Sequence, residues 1–74
     1  MDMKNSTQIL VHKIYEILLL PHAERVQPMT EINQSLLSLG YNEKQVRQIM
    51  KSAGVSQSLL FIVNTRIPLH GQLP

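Results

Sequence analysis

Seventy-four residues with a formal net charge of +2 allow one small domain. Leu, Ile, Val and Phe supply 24 of the 74 residues, too many for a disordered chain. The chain has no cysteine, which excludes a disulfide framework and a thiolate metal site. No apolar run approaches the ~20 residues of a membrane span, and His12, Lys13 and Glu16 interrupt the early apolar segment that a signal peptide would need. The expectation is a soluble cytoplasmic protein without a membrane partner. Domains of this size hold only about 3–5 kcal/mol of stability, so self-association is expected to add buried apolar surface.

Helical periodicity runs through the chain and predicts an all-α, small four-helix domain over residues 1–74. The first helix is predicted over 6–20, capped by Asn5, Ser6 or Thr7. Leu10, Ile14, Ile17 and Leu18 form its inner face, and Ile9, Val11, Tyr15, Leu19 and Leu20 widen the apolar surface beyond one stripe. Pro21 should end it by disfavouring helical geometry at Leu20. Residues 21–29, bracketed by Pro21 and Pro28, are expected to be a connector. A second helix over 30–39 would start on Thr30, bury Ile32, Leu36 and Leu37 with Leu39, and stop at Gly40.

Asn42 with Gln45 three residues on predicts an Asn variant of the capping box opening a third helix, 42–53. Val46, Ile49, Met50 and Ala53 line its inner face, and Gly54 ends it. Ser56 should cap a fourth helix over 56–65, with Leu59, Leu60 and Val63 inward. Residues 66–74 are expected to form a tail.

The chemical inventory argues against an enzyme. The glycines stand alone at 40, 54 and 71, so no phosphate-cradling loop exists, and no Ser or Thr sits with His and a carboxylate at motif spacing. His12 and Glu16, four apart, make half a metal site at most. No catalytic residue, cofactor, metal or small-molecule substrate is expected. Charge is unevenly placed. Residues 1–37 set Lys4, Lys13 and Arg25 against Asp2, Glu16, Glu24 and Glu31, for −1. Residues 38–74 set Lys44, Arg47, Lys51 and Arg66 against Glu43 alone, for +3. A basic half suits a phosphate backbone or an acidic protein.

The segment VRQIMKSAGVSQSLLFIVNT, residues 46–65, resembles the helix-turn-helix of phage Cro-type repressors and their bacterial relatives, and NTRIP resembles the exit of the same unit. In that family the second helix lies in the major groove. The resemblance implies a small DNA-binding transcriptional regulator of phage, plasmid or bacterial type, acting as a homodimer. Ser56, Gln57 and Ser58 fall where the family touches DNA, with Gln57 placed to bond an adenine edge. Lys44, Arg47 and Lys51 form a stripe at i, i+3, i+7 for phosphates, which Arg66 extends past the recognition helix. Met50 departs from the small residue the family keeps where the helices approach. Phe61 and Ile62 depart from its polar groove-facing side chains, and the first 40 residues do not match its usual first helix. The run LLFIV leaves open whether Phe61 and Ile62 are core or a docking patch.

A second stretch, LLSLGYNEKQVRQIMKSAG (36–54), resembles ubiquitin-associated domains. It implies the alternative of a non-enzymatic protein–protein interaction module or assembly subunit. Its apolar docking surface would comprise Leu39 and Tyr41 around Gly40, with Phe61 and Ile62.

Overall fold

The computed structural model describes the backbone of residues 3–72 and the side chains of residues 4–65. Within it the chain forms four helices and no strand: α1 (Met3–Ile17), α2 (His22–Ser38), α3 (Glu43–Ser52) and α4 (Gln57–Gln72). The all-α, four-helix class read from periodicity is the observed one. Both α2 and α3 pack against every other helix, whereas α1 and α4 make no close backbone approach to each other among the described residues.

Local signals set the second half of the chain. Asn42 accepts the Gln45 backbone N–H at 2.8 Å, and the Gln45 side chain accepts the Asn42 N–H at 3.0 Å, completing the predicted capping box of α3. The far end of α3 closes as a Schellman turn. Gly54 N–H donates to the Lys51 carbonyl and Val55 N–H reaches back to the Met50 carbonyl, both at 3.0 Å. That turn needs φ of 102° at Gly54, which a side chain would resist. Two residues later the Ser56 hydroxyl accepts the Leu59 N–H at 3.2 Å and starts α4. The α3–α4 connection is therefore four residues long and hydrogen-bonded at both ends.

The core collects residues from all four helices and from the α3–α4 turn: Ile14 and Ile17; Met29, Ile32 and Leu36; Val46, Met50 and Ala53; Val55; and Leu59, Leu60 and Val63. The inner faces predicted for the third and fourth helices are buried, with Ile49 only partly so. Leu10, Leu18, Leu37 and Leu39 pack against this core while half-buried.

The largest departure from the sequence expectation is in residues 21–29, which are helix rather than connector. Pro21 is the residue before the first turn, in extended geometry with φ −56° and ψ 152°, where a missing N–H costs nothing. Pro28 lies inside α2 and removes one helical hydrogen bond, a local penalty of about 3 kcal/mol. Packing offsets it. Met29, next to Pro28, is fully buried, and Val26 packs against the core one turn earlier. Most helical stability in proteins comes from such tertiary contact rather than from propensity. Thr30, expected to cap, is mid-helix and donates its hydroxyl to the Val26 carbonyl at 2.8 Å.

Smaller corrections concern the ends. The first helix occupies Met3–Ile17 rather than 6–20; Leu19 and Leu20 turn off it with i→i+3 bonds to Glu16 and Ile17. The fourth helix continues to Gln72, beyond the 56–65 expected, so most of the expected 66–74 tail is helical backbone.

Candidate functional site

Two faces emerge from the C-terminal half. On α3 the buried positions Val46, Met50 and Ala53 occupy one side, and Lys44, Arg47 and Lys51 stand exposed on the other. At about 100° per residue the three cations fall within roughly 60° of arc, so the predicted stripe is one face. Lys51 lies in the last turn of α3, where a cation also meets the negative end of the helix dipole.

On α4 the side chains divide cleanly. Leu59, Leu60 and Val63 point inward, whereas Gln57, Ser58, Phe61, Ile62 and Thr65 are exposed. Those five span about 140° of arc, a single outward face. Phe61 is 72% exposed and Ile62 41%, so the LLFIV run is half core and half surface. Ser56, Gln57 and Ser58, placed by sequence at the start of the recognition helix, are all exposed there. The Ser56 oxygen is occupied as a cap acceptor, which leaves its O–H free to donate. The charge environment suits an anion, because no Asp or Glu follows Glu43 anywhere in the sequence. The Arg66 side chain lies outside the described residues.

The alternative set Leu39, Tyr41, Phe61 and Ile62 is not brought together. Leu39 and Tyr41 follow the C-terminal end of α2, are half-buried, and pack against the core. The Tyr41 hydroxyl is hydrogen-bonded to the Thr7 hydroxyl at 2.8 Å, tying the α2–α3 loop to α1. Ile62, with Ser58, borders a shallow cleft of about 120 Å³ that also includes His22, Arg25 and Val26, at the opposite end of α2. A 17-residue helix is ~25 Å long, which separates the two halves of the set.

One positioning residue gave no sequence signal. Arg25 reaches back over Pro21 and donates from Nε to the Leu20 carbonyl and from Nη2 to the Leu18 carbonyl, both at 2.8 Å. The guanidinium thereby satisfies carbonyls left open beyond α1 and fixes the α1–α2 corner.

His12 and Glu16 are exposed on α1. No group of three or more His, Cys, Asp or Glu side chains gathers to hold a metal among the described residues. Within the same residues no helix is long and apolar enough to cross a membrane. Compared with known proteins, the chain matches no family model, no curated protein and no solved structure.

Proposed function

We propose that the chain is a small DNA-binding transcriptional regulator that lays the outward face of α4 into the major groove, N-terminal turn first. The observation that carries this reading is the α4 surface itself. The helix keeps its inner residues in the core and leaves Gln57, Ser58, Phe61, Ile62 and Thr65 exposed. Support comes from the hydrogen-bonded four-residue turn and from the exposed Lys44, Arg47 and Lys51 on the helix before it, which outnumber that helix's one carboxylate, Glu43. In this reading Lys44, Arg47, Lys51, Ser56 and Arg66 meet phosphates, while Gln57 and Ser58 reach base edges. Dimerisation belongs to the same reading, because two-fold related copies place two recognition helices one turn of DNA apart.

Two exposed-site substitutions test it by anisotropy on labelled duplexes. Arg47→Ala should weaken binding to every sequence alike and lower the slope of log K against log salt by about one unit. Gln57→Ala should leave that slope unchanged and relax base preference, at about 1–3 kcal/mol for the discriminated pair. Equal slopes for wild type and Arg47→Ala would remove the phosphate role.

The exposure of Phe61 and Ile62 favours one second reading, a protein-docking face on α4 without Leu39 and Tyr41. In that case Phe61→Ala abolishes capture of a protein partner, and the wild-type chain itself has no DNA affinity to measure.

A further inference from the structure

Resting on the DNA reading above, we propose that α4 is built to read A·T pairs, with Gln57 bonding adenine and Phe61 covering the C5-methyl group of a thymine within two base pairs of it. The outward face of α4 has a restricted chemistry. Among its described side chains there is neither a cation nor a carboxylate: the face consists of Gln57, Ser58, Phe61, Ile62 and Thr65. Guanine is read chiefly by Arg or Lys on O6 and N7, and the cytosine amino group by Asp or Glu. Both readers are missing from these positions. What remains matches the other base pair. A glutamine amide bonds adenine N6 and N7 in bidentate fashion, and the thymine methyl is the one apolar group in the major groove, met by apolar side chains such as Phe.

The spacing fits. Gln57 and Phe61 are four residues apart, one above the other on the same side of the helix, with ~6 Å of axial rise between them. That is close to two base-pair steps of ~3.4 Å, so the pair addresses base pairs within two steps of each other. Phe61 is 72% exposed and leaves a large apolar ring in water, which a methyl group would cover. The charge suits an anionic partner, since α3 presents Lys44, Arg47 and Lys51 and nothing after Glu43 is acidic; the Gln57 amide and Ser58 hydroxyl beside the Phe61 ring match the mixed polar and apolar base edges of a duplex.

The test uses the whole chain and three labelled duplexes at ~50 mM salt: an A·T-only duplex, the same duplex with uracil replacing every thymine, and a G·C-only duplex. Uracil pairs as thymine does and differs only by the missing methyl. Wild type should bind the A·T duplex about tenfold or more tighter than the G·C duplex. It should lose about fourfold per covered methyl on the uracil duplex. Phe61→Ala, a surface change whose fold is checked by circular dichroism, should bind thymine and uracil duplexes equally. Salt-dependent binding by wild type that does not distinguish thymine from uracil would overturn the Phe61 assignment and leave the DNA reading standing. A thymine preference that survives in Phe61→Ala would do the same. Binding to none of the three duplexes would overturn both, and would leave the α4 face to a protein partner.

Discussion

Leu36→Ala is expected to leave the domain mostly unfolded at 25 °C. Leu36 is fully buried near the C-terminal end of α2, the helix that together with α3 contacts all the others. Removing a buried leucine costs about 2–5 kcal/mol, because transfer free energy and cavity terms add. A domain this small has only about 3–5 kcal/mol in total and no disulfide to hold it. Far-ultraviolet circular dichroism and a urea titration check this: the variant should lose most of its helical signal without denaturant. A variant with the wild-type urea midpoint would show that the core is not centred on α2.

Arg25→Ala carries the second-largest effect, about 1.5–3 kcal/mol. The guanidinium makes two charge-assisted hydrogen bonds to the Leu18 and Leu20 carbonyls, so its loss leaves those acceptors to water at a partly covered corner. Arg25→Lys should restore only part of the loss, since an ammonium lacks the planar fork that meets two carbonyls at once. Amide exchange locates the damage. The Leu18, Leu19 and Leu20 amides, which bond back into the last turn of α1, should exchange faster in Arg25→Ala than in wild type, while those of α3 should not change. Uniform acceleration across the chain would mean that Arg25 stabilises the fold globally rather than this corner.

What the sequence made legible was whatever rests on neighbours within a turn or two. The Asn42–Gln45 box, the Gly54 turn, the Ser56 cap and the inner faces of α3 and α4 all depend on spacings of three to eight residues. The start of α2 was not legible, because two prolines seven residues apart bracket it and their local signal is a loop. Only the burial of Met29 and the packing of Val26 outweigh the bond lost at Pro28. The Thr7–Tyr41 hydrogen bond spans 34 residues, and the Arg25 clamp crosses a chain reversal, so neither leaves a periodic trace. At the candidate site, 3.6-residue periodicity was enough to place Lys44, Arg47 and Lys51 on one face. Phe61 and Ile62 were ambiguous, because in a run of five apolar residues periodicity cannot say which side is buried. The packing of Leu59, Leu60 and Val63 decides it and turns Phe61 outward.

The central claim is that the α3–α4 surface meets the phosphates and bases of duplex DNA. Its most direct measurement is the affinity of the wild-type chain for a random-sequence duplex at about 50 and 200 mM salt. Neutralising four phosphates in each protomer through Lys44, Arg47, Lys51 and Arg66 predicts micromolar binding at the lower concentration and a loss of about 150-fold or more at the higher. No binding at the lower salt, or binding indifferent to salt, would contradict the account.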